Sequence, residues 1–198
     1  MPTNPCILAF AGSTRTNSWN QKLVDIASEG ARLSGAMVTQ INLSDYSMPI
    51  YDGDLEASQG IPDHAKELKL LMSEHSGLLL ASPEYNSGYS PLIKNVIDWI
   101  SRPLSGETRL KAFSNKTAVL MSASPGSLGG LRGLTQLKQV LENIGVLVLP
   151  QHVTLSNTSS AFTQTGELSD RGKHQEIMSL GDSLTKVIRK LQTENEDS

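Results

Sequence analysis

Apolar residues are distributed along the chain in two patterns that take turns: short unbroken runs, and longer stripes at helical spacing. Residues 7–11, 77–82, 117–122 and 146–149 are runs, the second carrying Leu78, Leu79, Leu80 and Ala81 in succession. Such a run predicts a strand covered by helices on both faces. Residues 37–43 alternate loosely and include Thr39, Gln40 and Asn42, which predicts a strand near a sheet edge. Stripes fall between and after the runs: Leu23, Ile26, Ala27 and Gly30; Leu68, Leu71, Met72 and His75 after Pro62; Leu92, Ile93, Val96, Ile97 and Ile100; Leu134, Leu137, Leu141 and Ile144. A last stripe, Ile177, Leu184, Ile188 and Leu191, predicts a helix over 170–191. Strand followed by helix, five times over, is the order of a parallel three-layer α/β sheet with right-handed crossovers. Residues 157–165 read as an irregular surface loop and 193–198 as a disordered acidic tail, with 1–198 forming one domain.

Two helix starts are marked in the sequence. Ser18 and Gln21 have capping-box spacing, and Ser90 precedes a proline at the first helical position, where its missing N–H costs nothing. Three loops therefore leave the same, carboxyl edge of the sheet, where open α/β sheets bind ligands. In the first, Gly12-Ser13-Thr14-Arg15-Thr16-Asn17-Ser18-Trp19-Asn20, hydroxyls and an amide run into a helix N-terminus, whose amides and dipole favour an anion. Arg15 adds a planar fork for two phosphate oxygens. A phosphate monoester held by Ser13, Arg15, Ser18 and Asn20 is the expected ligand group, although a hydroxyl-rich loop in this place often serves only as a cap. Neither a Walker pattern nor Gly-x-Gly-x-x-Gly is present. In the second loop, residues 83–89, Tyr85 offers a ring face while Glu84, Asn86 and backbone amides can pair with the nitrogens and carbonyls of a flat heteroaromatic; a surface turn is the alternative. The third loop is rich in glycine and serine, and Ser124 or Gly126 is placed to touch the same ligand, unless the segment is only a flexible turn. Gly133 falls inside the following helix, where packing is its expected role.

Charge narrows the class. Seventeen basic and twenty acidic side chains give a net charge of −3 without a basic cluster, which argues against nucleic acid or an anionic membrane as partner. No apolar run has bilayer length and the N-terminus lacks a signal-peptide pattern, so a cytoplasmic location is expected. The single Cys6 forbids an internal disulfide and is expected to pack as a small core residue. The four histidines lie far apart, so no metal site is expected.

With the three loops in view, the chain resembles the NADPH-dependent FMN reductase family of flavodoxin-like proteins, which includes quinone, chromate and azo-dye reductases. The likeness covers roughly residues 5 to 190. It is carried by Gly12, Ser13, Arg15, Ser18 and Asn20 of a phosphate loop; by Pro83-Glu84-Tyr85-Asn86 with Leu92 to Trp99; and by Ser124-Pro125-Gly126 with Gly129-Gly130-Leu131-Arg132. Tyr51-Asp52-Gly53-Asp54-Leu55-Glu56 is similar to the family's acidic segment, whereas Ser90-Pro91 stands where many members have Pro-Gly. The resemblance implies a five-stranded parallel sheet of order 2-1-3-4-5. It implies FMN with its phosphate on Ser13, Arg15, Ser18 and Asn20 and its isoalloxazine edge on Pro83, Glu84, Tyr85 and Asn86. It also implies NADPH or NADH as donor, a small-molecule electron acceptor such as a quinone or free flavin, ping-pong turnover, a homodimer or homotetramer, and no catalytic acid–base triad.

The sequence leaves more than one function open. An enzyme is one reading; a flavodoxin-type electron carrier without its own substrate is another, and a flavin-binding regulatory protein a third. Charge favours the enzyme, since small electron carriers tend to be strongly acidic. Trp99 lies about one helical step off the stripe Leu92, Ile93, Val96, Ile97 and Ile100, which suggests cover by a second subunit, with residues 51–56 reaching across. Packing beneath its own chain's 103–111 loop is the alternative.

Overall fold

The computed structural model describes residues 4–163 and 165–196. Five parallel strands form the sheet: β1 (Cys6–Ala11), β2 (Met37–Gln40), β3 (Gly77–Ala81), β6 (Thr117–Ala123) and β7 (Leu147–Leu155), in the spatial order β2-β1-β3-β6-β7. This is the expected 2-1-3-4-5 order, because β4 (Glu84–Tyr85) and β5 (Gly88–Tyr89) form a separate antiparallel hairpin. The helices are α1 (Trp19–Leu33), α2 (Gly53–Gln59), α3 (Asp63–Glu74), α4 (Pro91–Ile100), α5 (Leu131–Asn143), α6 (Thr158–Ala161) and α7 (Arg171–Glu196).

Period-two alternation inside the apolar runs divides the core into two layers. Ile7, Ala9, Ala11, Leu79, Ala81, Val119 and Met121 face α1 and α7. Leu8, Phe10, Leu78, Leu80 and Leu120 face α3, α4 and α5. Helices α1 and α7 approach closely through glycine. A Cβ on Gly30 would lie 2.0 Å from the carbonyl oxygen of Met178, and one on Gly181 would lie 1.9 Å from that of Ala27.

Several boundaries differ from the sequence reading, each for a tertiary reason. Residues 83–89 contain the β4–β5 hairpin, closed by Asn86 and Ser87 at φ of 51° and 67°, the positive pair of a type I′ turn. Strand β2 ends at Gln40, and Asn42 then caps a single 3₁₀ turn over Leu43–Asp45 that puts Leu43 into the core. Strand β7 extends to Leu155 past an irregularity in its pairing with β6. The segment expected as an irregular loop at 157–165 contains the four-residue α6. Helix α7 runs to Glu196, so 193–196 are helical rather than a disordered tail, while Asp197 and Ser198 lie outside the described residues.

Trp99 requires a larger correction. Its side chain is fully buried within its own chain. The indole N–H donates to the Pro49 carbonyl at 2.8 Å, the Tyr51 ring stacks edge-on at 5.0 Å, and Ile61 and Ala65 close the pocket. Residues 51–56 fold back over this tryptophan, with α2 starting at Gly53 behind its Asp52 cap. Leu104 of the 103–111 loop contributes only at the edge. Trp99 is covered although it lies off the apolar stripe, because segment 48–61 adds a small third core beside α4.

Candidate active site

Strands β1 and β3 are neighbours whose following chains leave to opposite sides, so a crevice opens at their carboxyl ends. A cavity of about 590 Å³ lies there, lined by all three loops. Eight of the ten residues expected at the site meet in it: Ser13, Arg15, Ser18, Asn20, Pro83, Glu84, Tyr85 and Ser124. Asn86 and Gly126 do not line it. Asn86 sits at the exposed tip of the hairpin, and the Gly126 N–H donates to Ser124 Oγ at 3.3 Å on the outer side of the third loop.

The first loop turns tightly into the start of α1. Gly12 passes beneath α4 so tightly that a Cβ would lie 2.6 Å from Ser90 Oγ. Ser18 caps α1, accepting from the Gln21 N–H at 3.4 Å, and Ser13 Oγ accepts from the Arg15 N–H at 3.3 Å. The N–H groups of Trp19 and Asn20, the first two of the helix, have no acceptor among the described residues. The Arg15 guanidinium lies 5.8 Å from the Trp19 ring centre and exposed. Lys22, also on the cavity wall, holds its ammonium 4.9 Å from the Phe162 ring centre. Neither cation is within ion-pair distance of a carboxylate among the described residues. Backbone donors, hydroxyls and two unpaired cations are the donor set that a phosphate dianion needs, and the residues present fit the phosphate of FMN.

Two expected contacts have other duties. The buried Asn20 amide donates to the Ala123 carbonyl at 3.0 Å and accepts from the Ala123 N–H at 2.9 Å, tying the first loop to the end of β6. The Glu84 carboxylate accepts from the Gly133 N–H at 2.9 Å and pairs with Arg132 at 3.3 Å. It caps α5, whose own N-cap Gly130 has no side chain and sits at φ 92°. Gly133 is there for packing, as expected: a Cβ would lie 2.9 Å from the Gly88 backbone. Beneath the hairpin, Ser122 Oγ donates to the Ser82 carbonyl at 2.7 Å, and Ser82 Oγ accepts from the Ser90 N–H at 3.0 Å. The Tyr85 ring, by contrast, is 49% exposed at the cavity mouth and available to a ligand.

Lys22, Trp19, Thr16, Asn17, Ala123 and Pro125 complete the wall beyond the expected set. Lys22 was legible, since it stands four residues after the Ser18 cap and therefore on the same helical face. Among the described residues no group of three metal-ligating side chains occurs, and no helix is long and apolar enough to cross a membrane.

The fold is flavodoxin-like: an archaeal flavodoxin superposes over 93% of this chain and 99% of its own with a TM-score of 0.59 at 11% identity. Residues 5–160 match the model of the NADPH-dependent FMN reductase family, and the chain belongs to that family of flavin-dependent oxidoreductases. It is 30% identical over 191 residues to an NAD(P)H-dependent FMN reductase of Pseudomonas aeruginosa, covering 93% of this chain and 96% of that one. A quinone reductase of Escherichia coli is 27% identical over 172 residues, with 84% and 86% covered. Among solved structures, the flavoenzyme NAD(P)H:(acceptor) oxidoreductase FerB from Paracoccus denitrificans has a TM-score of 0.77 at 26% identity, over 94% of this chain and 98% of its own.

Proposed function

We propose that the protein is an FMN-dependent NAD(P)H oxidoreductase that reduces quinones, free flavin or similar small acceptors by a ping-pong mechanism. The observation that carries this reading is the convergence of three loops on one cavity lined by hydroxyls, Arg15, Lys22 and the start of α1, together with an exposed tyrosine. FMN, when bound, supplies the redox chemistry, taking a hydride equivalent from the nicotinamide and passing electrons to the acceptor. The chain's own residues bind and orient. Ser13, Arg15, Ser18 and the amides of α1 hold the phosphate, with Asn20 fixing the loop against β6. Pro83 and the hairpin form the wall beside the ring, and Tyr85 borders the mouth. Donor and acceptor then use one mouth in turn, which supports ping-pong kinetics. The names of the curated relatives support quinone or flavin as acceptor. A cytoplasmic homodimer or homotetramer belongs to the same proposal.

The test is direct. The purified protein should release FMN on denaturation and oxidise NADPH with a quinone, giving parallel lines in double-reciprocal plots. FAD in the supernatant, or NADPH oxidation absent with every acceptor, would overturn the reading and favour the electron carrier.

A further inference from the structure

The opposite, amino edge of the sheet carries a second cavity system that redox chemistry does not use. Two adjoining hollows of about 600 and 550 Å³ share Ser76, Asn115, Lys116 and Gln192. Leu147 and Ile188 line the first, and Lys111 lines the second. Lys116 is only 7% exposed, yet its ammonium has no hydrogen-bond acceptor and no ion pair among the described residues. That ammonium opens into the hollows only partly hydrated and with no counter-charge beside it, which is unfavourable. Burial pushes its pKa down, and the like charge of Lys111 pushes in the same direction. Gln192 Oε1 is buried with no partner among the described residues, and a half-turn of that amide would present its NH₂ instead. Two other polar groups at this end do not answer the charge. Glu74 lies on the exposed rim, and His75 has both ring nitrogens engaged, by the Leu71 carbonyl at 2.6 Å and Thr39 Oγ1 at 2.7 Å.

A cation, an amide and aliphatic side chains in one hollow, with a second cation in the adjoining one, describe the complement of one kind of molecule. We propose that the amino edge of the sheet is a binding site for a small amphiphilic carboxylate, its anionic head against Lys116 and Lys111 and its apolar body against Leu147 and Ile188. Inorganic phosphate would satisfy the cations but leave the aliphatic wall wet, so a carboxylate with a hydrocarbon body is the better match. The site is independent of the flavin reading, because the two cavities share no residue and open at opposite edges of the sheet.

Calorimetric titration of the flavin-loaded protein with octanoate tests the proposal, with octanol as the uncharged control. Saturable octanoate binding is expected, at least tenfold tighter than octanol. Lys116→Met should abolish most of that binding while melting at or above the wild-type temperature, since an unpaired charge has been removed. Lys116→Arg should retain the binding. In the wild-type chain, octanoate should slow labelling of Lys116 by trinitrobenzenesulfonate, read by mass spectrometry, which gives a result even if the methionine variant fails to fold. Neutralising Glu194, Glu196 and Asp197 together should leave the affinity unchanged. No saturable binding, equal binding by Lys116→Met, or unprotected Lys116 overturns the proposal. So does binding that appears only in the neutralised variant, which would make the chain's own acidic end the occupant.

Discussion

Single residues at the cavity divide into those that are open to it and those that hold the loops in place. Arg15 is exposed and has no carboxylate partner among the described residues, so Arg15→Ala should leave the melting temperature nearly unchanged. It should weaken FMN binding by about 1.5–3 kcal/mol, the range for a hydrogen bond to a charged group, measured by flavin fluorescence titration. Asn20 is the opposite case. Its amide makes two buried bonds to Ala123, and Asn20→Ala leaves both Ala123 backbone groups without those partners, at about 1–3 kcal/mol each by the cost of an unmet buried group. The denaturation midpoint should fall before any flavin is added, whereas a pure ligand contact would lower only flavin affinity. Both residues stand in one hydroxyl-rich stretch, and the sequence alone assigned them one task. Separating them required the position of Ala123, 103 residues away.

At the scale of elements, helix starts and apolar stripes were legible because capping and periodicity act over a few residues. Ser18 and Ser90 cap α1 and α4 where their spacing predicted, accepting from Gln21 and Ile93. The hairpin at 83–89 was not legible, since two-residue strands are too short to show a period and Asn86-Ser87 reads as any polar turn. The α1–α7 contact was hidden in the same way: Gly30 looked like a member of an apolar stripe, but the backbone of α7 crosses where its Cβ would be. Gly181→Val should therefore destabilise the protein by about 1–3 kcal/mol through overpacking, seen as a lower urea midpoint at unchanged m-value. A similar clash makes Gly130→Ala harmful, since φ is 92° and the new methyl would meet Ser122 Oγ.

For the whole molecule, segments remote in sequence are joined by ion pairs such as Glu56–Arg102 and Lys69–Glu107 and by Trp99. Burial pulls the Glu56 pKa up, but hydrogen bonds with Arg102 and Tyr51 outweigh it and hold the carboxyl below its ordinary 4.5. Glu107 is lowered chiefly by Lys69, and Asp182 chiefly by Lys186 and then Ser34. A carboxylate with a depressed folded pKa contributes stability above its unfolded value and loses it as pH falls through the folded one. Stability should therefore be level from pH 7 down to the ordinary carboxylate range and decline below it, as acid-dependent urea midpoints would show. Trp99→Ala should cost about 3–5 kcal/mol, the range for truncating a buried tryptophan, without the selective loss of oligomer mass that an interface position would give. By itself the sequence determined the strand–helix order, the sheet class and the edge on which three small-residue loops gather, because local periodicity and turn chemistry encode these. Only the tertiary structure decided which loop residues face the cavity and which clamp it, what covers Trp99, and that Lys116 lines the hollows at the amino edge of the sheet. Each of those depends on a partner brought from far along the chain, and no local pattern records that partner.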